Sequence, residues 1–327
     1  MYNIYKIFIS FNKMKWYIKG MEISLVGGIH IKHYLFDLPG ENGWKRYLLS
    51  SLIILVSLIA GSLLYGILSV VTGLLNGDGI VFDNTSGEFV GMDPTLDLLF
   101  MNLTYVIWML GIWLSIRFVH KRKLKTLITA NDRINWKQIF GSFTIYFGLM
   151  MLLELVYLLI FPEHFAWNEF ELGKFLFLFF VVLLLTPIQT TVEELIFRGF
   201  LLQWIGKIVI NPIVLGVIMA IVFGSLHFFN PEMERSAIWV GLDYLLVGFM
   251  LTFLAVKMGS SELSIGAHAA NNMFLFWFIG DPQSVGGSVP SLTTVVHNEP
   301  AISLVLDGLL FLVFYIIVVK RFKPNAI

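Results

Sequence analysis

The sequence predicts an all-α protein, a polytopic bundle of about eight membrane-spanning helices, and two observations support this fold class. Only 13% of the 327 residues are charged, which is about half the share found in soluble domains. The hydrophobic share is 57%, and the mean hydropathy is +0.81. A surface with so little charge would not stay dissolved in water. We therefore expect an integral membrane protein surrounded by a lipid bilayer.

Long apolar segments define the predicted helices. A bilayer core about 30 Å thick requires about 20 apolar residues in helical form. Eight segments meet this requirement, at roughly 47–75, 96–119, 139–161, 172–190, 212–229, 237–257, 263–280 and 301–320. The fourth continues without a polar break into 195–210, so we predict either one long helix or a bent one. Thr186-Pro187 is the expected bend, because proline removes a backbone donor and disfavours helix at the preceding residue.

Lysine and arginine residues in the short loops predict the orientation of the bundle. The strongest cytoplasmic marker is the basic cluster 120–125 after the second span. Further basic residues precede the first span and follow the fourth, sixth and eighth, whereas the alternating loops are acidic. This pattern predicts a multi-pass protein of the cell membrane with both termini in the cytoplasm.

The order of spans divides the chain into four regions. We expect a cytoplasmic or interfacial segment at 1–46 and scaffold helices at 47–171. The densest intramembrane polar residues lie in 172–280, and 281–327 holds an extracytoplasmic loop, the last helix and a basic tail. Residues 2–19 mix basic and aromatic types, as is typical of a segment on a membrane surface. Met21 is an alternative start to Met1.

The composition also excludes several kinds of partner and site. The formal net charge is zero, so we expect no nucleic-acid partner. The chain has no cysteine, which excludes disulfides, iron–sulfur clusters, thiolate zinc sites and a cysteine nucleophile. The protease motifs HExxH and GxSxG are likewise missing from the sequence.

Charged residues inside apolar spans are candidates for function, because each costs about 2.5–3.5 kcal/mol at the centre of a membrane. Glu154, Asp243 and Asp307 each stand alone in their spans. Such a residue can pair with a polar group on a neighbouring helix or face a water-filled cavity. We leave these three out of the predicted site.

The segment 193–198 is different, because it combines two adjacent carboxylates with an arginine. Glu194 and Arg198 are four residues apart and share a helix face, so the spacing predicts an ion pair. Glu193 is rotated by about 100° from Glu194. Its carboxylate is therefore left to face another group.

Two histidines in later spans complete the predicted site. His227 lies near the end of the fifth span, and His268 shares a helix face with Asn272 in the seventh. Glu193 and His227 are each about seventeen residues from the turn that joins their spans, so an antiparallel hairpin places them at equal depth. His268 is only about eight residues from its own turn. It would lie shallower unless that loop is re-entrant or the helices tilt.

These side chains suit hydrolysis of an amide within the membrane. A glutamate beside a histidine or a bound metal can activate water, with Glu193 as the base. Asparagine and histidine donors can stabilise the developing oxyanion. Small residues around His268, such as Gly266, predict close helix packing or room for a substrate backbone.

Three motifs follow one another along the chain: Glu193-Glu194-x-x-x-Arg198, Phe223-x-x-x-His227 and His268-x-x-x-Asn272. In these motifs the chain resembles the CPBP family, which comprises the CAAX prenyl proteases and bacteriocin-processing (Abi) membrane proteins. The resemblance covers about 172–280, which would then be the catalytic core. It also implies that Glu194 and Arg198 brace the site.

The resemblance implies a catalytic role for the remaining motif residues. Glu193 and His227 would activate the water, while His268 and Asn272 would hold the oxyanion or a metal. The family supports both a metalloprotease mechanism and a metal-free glutamate mechanism. Glu193, His227 and His268 form a set that can ligate zinc, so the cofactor is left open between zinc and none.

The expected activity is that of an intramembrane endopeptidase acting on a membrane-associated peptide or protein tail. One alternative is a non-catalytic scaffold, such as a bacteriocin immunity protein, which would tolerate loss of Glu193 or His227. A second is a transporter or proton relay, in which buried carboxylates and histidines carry ions. Transporters often have related halves, whereas here the polar residues crowd into one half without a repeat.

Overall fold

The computed structural model describes residues 34–35, 37–76, 80–83, 88–209 and 211–322, which form a helical bundle with short strands in its loops. The predicted interfacial segment 2–19 and the alternative start Met21 lie outside the described residues. In chain order the helices are α1 Trp44–Asn76, α2 Pro94–Leu114, α3 Trp136–Ile160, α4 Leu172–Glu194, α5 Pro212–Leu226, α6 Ala237–Met258, α7 Glu262–Phe278 and α8 Pro300–Arg321.

Five short strands lie in the loops. They are β1 Val81–Asp83, β2 Glu88–Val90, β3 Phe165–Trp167, β4 Ile279–Gly280 and β5 Thr293–Val295. β1 and β2 form an antiparallel hairpin between α1 and α2. The other three form a sheet in the order β3-β5-β4, in which β5 pairs antiparallel to β3 and parallel to β4. This sheet ties the loop between α3 and α4 to the loop between α7 and α8.

The helices confirm a polytopic all-α membrane protein. In the described part of the chain, six helices are long and apolar enough to cross a bilayer, namely α1, α2, α3, α4, α6 and α8. The predicted segments 212–229 and 263–280 run past the ends of α5 and α7, which have 15 and 17 residues. Both are shorter than the roughly 20 residues of a full span. In α7 the apolar residues mostly face protein rather than lipid, because most of its side chains are buried.

α4 is continuous with the residues that follow it, as both predicted alternatives, one long helix or a bent one, require. The helix passes through Pro187 without ending and extends as far as Ile205. Its departure from α-helical hydrogen bonding comes later than the expected bend, in the π-helical stretch Leu195–Leu201. Such π-helical turns often occur at functional sites. Here the turn contains the arginine of the first motif.

The turn before α7 is enclosed by protein, which accounts for the depth of His268. Ser261 and Glu262 have no exposed surface. The Ser261 backbone N–H donates to the Ile128 carbonyl at 2.8 Å, and the Asn135 N–H donates to Glu262 Oε1 at 2.6 Å. The segment between α2 and α3 therefore covers the start of α7. Few residues are then needed to bring His268 into the middle of the bundle.

α7 packs closely against α3 because Gly266 has no side chain. A Cβ atom at this position would lie 2.1 Å from the Ile139 carbonyl oxygen and 2.1 Å from Ser142 Oγ. The close packing predicted for this glycine is thus confirmed. Beside this contact, Phe274 and Phe314 belong to a core cluster shared by α3, α6, α7 and α8.

Candidate active site

Residues of all three sequence motifs line one cavity. Its volume is about 730 Å³, and its walls include Glu193, His227, His268 and Asn272. They are contributed by α4, by the residue that caps α5 and by α7. The fold therefore brings the four predicted catalytic residues to a common space.

The predicted ion pair between Glu194 and Arg198 is confirmed. Arg198 Nη1 donates to Glu194 Oε1 at 2.8 Å, and neither side chain is exposed. The Arg198 guanidinium also lies 4.8 Å from the ring centroid of Phe223, the first residue of the second motif. Because unpaired charges are costly in a protein interior, each partner holds the other in the core. The pair fixes the helix face from which Glu193 turns away.

His268 connects the two glutamates. Its Nδ1 lies 2.8 Å from Glu194 Oε1, and its Nε2 lies 3.7 Å from Glu193 Oε2. A carboxylate paired with an arginine only accepts hydrogen bonds, so Nδ1 carries the hydrogen. In the neutral imidazole, Nε2 then presents a lone pair toward Glu193. Nε2 and Oε2 are then neighbouring acceptors, an arrangement that suits the two hydrogens of one water molecule placed beside them.

Glu193 is held by two residues outside the sequence motifs. Its Oε1 accepts a hydrogen bond from Tyr105 OH at 3.1 Å and another from Gln189 Nε2 at 2.6 Å. Asn272 Nδ2 in turn donates to Gln189 Oε1 at 3.1 Å. The sequence offered a signal for Gln189, which lies four residues before Glu193 on the same helix face. It offered none for Tyr105, since a tyrosine in an apolar span is unremarkable by pattern alone.

His227 shares the cavity, but its contacts are different. Its Nδ1 lies 2.8 Å from the Phe223 carbonyl oxygen, and its ring packs against Phe223 and Tyr244 at centroid distances of 4.4 and 4.5 Å. A carbonyl only accepts, so Nδ1 donates and Nε2 carries the lone pair. The residue brought next to Glu193 is thus His268 rather than His227.

The donor set does not fit a metal centre. Catalytic zinc is usually held by three protein ligands. Within the described ranges, no group of three or more His, Asp or Glu side chains is placed to hold a metal ion. The proposed ligands Glu193, His227 and His268 do not come together as such a group, because only Glu193 and His268 lie within 4 Å of each other. We therefore assign no step of the chemistry to a metal.

The three lone carboxylates left out of the predicted site line the same cavity. Glu154, Asp243 and Asp307 come from α3, α6 and α8, which are far apart in the sequence. The cavity continues to Asp281 and Glu299 in the loop between α7 and α8. This loop lies on the side of the bundle where α7 ends and α8 begins.

The fold and the site together define a multi-pass membrane protein with a polar cavity between its helices. A family model described as type II CAAX prenyl endopeptidase Rce1-like matches residues 172–274. The chain is also 40% identical over 284 residues to a protein of Bacillus subtilis (strain 168) named "Uncharacterized protein YyaK", covering 84% of this chain and 94% of that protein. No solved structure matches the chain.

The chain belongs to the CPBP family, the group of CAAX-type intramembrane proteases that contains the Rce1-like endopeptidases. The matched region, 172–274, includes every residue of the three motifs. Tyr105 lies outside it, so the helices before the matched region also contribute to the site.

Proposed function

We propose that this protein is an intramembrane endopeptidase that hydrolyses a peptide bond in a membrane-associated peptide or protein tail, with water activated by Glu193 and His268. The observation that carries the proposal is the chain of contacts Arg198–Glu194–His268–Glu193, which ends on the cavity. The buried ion pair of Glu194 and Arg198 orients the imidazole, and the imidazole faces the carboxylate that takes the proton.

In the first step a water molecule lies beside Glu193 Oε2 and His268 Nε2, which are 3.7 Å apart, and contacts both. It donates one hydrogen to each acceptor, so that a lone pair of its oxygen points at the substrate carbonyl. Glu193 takes the proton as the water oxygen bonds to the carbonyl carbon. The electron pair of the C=O double bond moves to the carbonyl oxygen, and a tetrahedral oxyanion forms.

Asn272 is the donor for this oxyanion. One N–H of its side-chain amide is used by Gln189 at 3.1 Å, and the amide has a second. A fixed donor is most effective in surroundings of low dielectric, where it stabilises developing charge more than it would in water. The oxyanion then collapses, the C–N bond breaks, and Glu193 returns its proton to the leaving amine.

His227 serves the leaving-group side of the substrate. With Nδ1 tied to the Phe223 carbonyl, its Nε2 lone pair can accept a hydrogen bond from the scissile N–H. This assignment differs from the water-activating role that the family resemblance implies. The difference follows from the contact between His268 and Glu193.

The test is cleavage of a library of membrane-associated peptides by purified protein in detergent. We expect Glu193→Gln to cleave about 10²–10⁴-fold more slowly than wild type, the usual contribution of a general base. The matched control is Glu169→Gln, which alters an exposed carboxylate outside the cavity. We expect it to cleave at the wild-type rate, and a chelator to leave wild-type cleavage unchanged.

Each outcome of this test has a distinct meaning. Full cleavage by Glu193→Gln contradicts the mechanism. Loss of wild-type cleavage on adding a chelator contradicts its metal-free form. A wild-type protein that cleaves none of the peptides favours the non-catalytic scaffold.

A further inference from the structure

Glu193 presents its two carboxylate oxygens to different partners. Oε1 faces Tyr105 and Gln189, and Oε2 faces His268. We propose that Tyr105 and Gln189 are positioning residues that fix Glu193 so that Oε2 is the oxygen that takes the proton from water. This inference rests on the proposed endopeptidase function and assigns residues that lie outside its three motifs.

Two donors on one oxygen restrict a carboxylate in a way that one donor does not. A glutamate side chain in a cavity can rotate about its terminal bond and exchange its oxygens, because that torsion is broad. Hydrogen bonds at 2.6 and 3.1 Å to Oε1 come from separate helices, α4 and α2. They hold the carboxylate plane from two directions. Hydrogen bonds to a charged acceptor are also stronger than neutral ones, so they hold the carboxylate in place more firmly.

Gln189 has a second task, because it joins the base to the oxyanion donor. Its Nε2 donates to Glu193 and its Oε1 accepts from Asn272. One side-chain amide therefore sets the separation between the group that activates water and the group that stabilises the oxyanion. A displacement of about 1 Å in such a pair can cost about 10²-fold in rate.

The experiment compares Tyr105→Phe and Gln189→Met with wild type in steady-state cleavage of one peptide from the library. Both changes keep the size of the side chain and remove its hydrogen bonds to Glu193. We expect kcat to fall about tenfold for Tyr105→Phe, as for loss of one hydrogen bond to a charged group. For Gln189→Met we expect about 100-fold, because Asn272 is released as well. KM stays within about twofold in both, since neither residue is assigned a contact with substrate.

The matched control is Tyr65→Phe. Tyr65 OH donates to Asp97 Oδ1 at 2.6 Å, which is also a tyrosine–carboxylate hydrogen bond between helices but lies away from the catalytic cavity. We expect its kcat to equal that of wild type. Thermal unfolding of all three variants in detergent shows how much of each protein is folded. A positioning effect lowers kcat per folded molecule, whereas loss of folded protein lowers only the amount of active enzyme.

The outcomes separate this inference from the function on which it rests. If Glu193→Gln is inactive while Tyr105→Phe and Gln189→Met keep the wild-type kcat, the positioning roles are wrong and the endopeptidase function stands. If both variants raise KM with kcat unchanged, the two residues bind substrate instead, which also overturns the inference. If Glu193→Gln cleaves normally, the function fails and the positioning roles fail with it.

Discussion

At the scale of single residues, Glu194 joins the buried ion pair to the imidazole of His268. One of its oxygens accepts from both Arg198 and His268. It therefore balances a buried positive charge and sets the tautomer of the imidazole. Without Arg198 or His268, the buried negative charge of Glu194 would lack one of its two partners, in a place that water does not reach.

The change Arg198→Met tests this arrangement. It leaves Glu194 buried without a cation, and we expect the free energy of unfolding to fall by about 3–5 kcal/mol. Unfolding in detergent, followed by circular dichroism, gives the value. The double variant Glu194→Gln/Arg198→Met removes both charges and should recover much of the loss. If the double variant were less stable than Arg198→Met, the unpaired charge of Glu194 would not explain the loss of stability.

A second residue-scale prediction concerns His120, which lies just outside the membrane span of α2. Burial, followed by the nearby charges of Arg122, Lys207 and Arg46, lowers the pKa of His120 from 6.5 to about 4. The unfolded chain binds a proton at this histidine below about pH 6.5, and the folded protein does not. Acidification from pH 6.5 towards 4 therefore favours the unfolded state.

We expect the melting temperature of wild type to drop more than that of His120→Gln between pH 7 and pH 5. Thermal unfolding at a series of pH values measures both melting temperatures. The difference between the two proteins reports His120 alone, because their other titratable groups are the same. Equal pH dependence in the two proteins would mean that His120 does not supply the effect.

Most of the residues at the site could be identified from the sequence, because charge inside an apolar span is conspicuous. Glu193, Glu194, Arg198 and His268 were predicted together, and the ion pair followed from spacing alone. Which histidine faces Glu193 could not be predicted. Counting residues from a turn assumes that the turn lies at the membrane surface, and the turn before α7 is covered by protein.

At the scale of elements, the position of α7 depends on its contact with α3. Gly266 stands two residues before His268 on α7, so the distance between these helices also sets the place of the imidazole. The helix is held on several sides by other helices, and it has little room to shift.

The change Gly266→Val tests this contact. Branched side-chain atoms would enter space held by the Ile139 carbonyl and Ser142 Oγ. We expect the melting temperature to fall by about 1–4 °C, since overpacking a core typically costs about 1–3 kcal/mol and the chain is long. The control is Gly148→Val on α3, where a Cβ would meet no atom within 4 Å. Equal melting temperatures for the two variants would contradict close packing at Gly266.

All eight helices could be predicted from hydropathy, whereas the lengths of α5 and α7 could not. Hydropathy shows that a segment avoids water, but it does not show whether lipid or protein surrounds that segment. α7 is apolar chiefly because it is enclosed by other helices. The short strands were not predicted, because two or three residues carry no readable alternation.

At the scale of the whole molecule, the cavity runs from the site to one face of the bundle. On that face it is lined by Val285, Asp281 and Glu299 from the loop between α7 and α8. The basic cluster 120–125 lies in the loop between α2 and α3, at the other ends of the helices. If the positive loops are cytoplasmic, as the sequence predicts, the loop between α7 and α8 faces the extracytoplasmic side.

Single cysteines test this orientation cleanly, because the chain contains none of its own. We expect Val285→Cys to react with a membrane-impermeant maleimide in intact cells, and Lys123→Cys to react only after permeabilisation. Both positions are exposed on the protein surface. The reverse labelling pattern would place the loop between α7 and α8 in the cytoplasm.

The central claim is that Glu193 and His268 act together on one water molecule, and a double-mutant cycle on the rate of peptide cleavage tests it most directly. Residues that act as a unit are non-additive. We therefore predict that Glu193→Gln/His268→Gln cleaves no more slowly than the slower of the two single variants. A double variant whose loss equals the product of the single losses, or a single variant that cleaves at the wild-type rate, would contradict the claim.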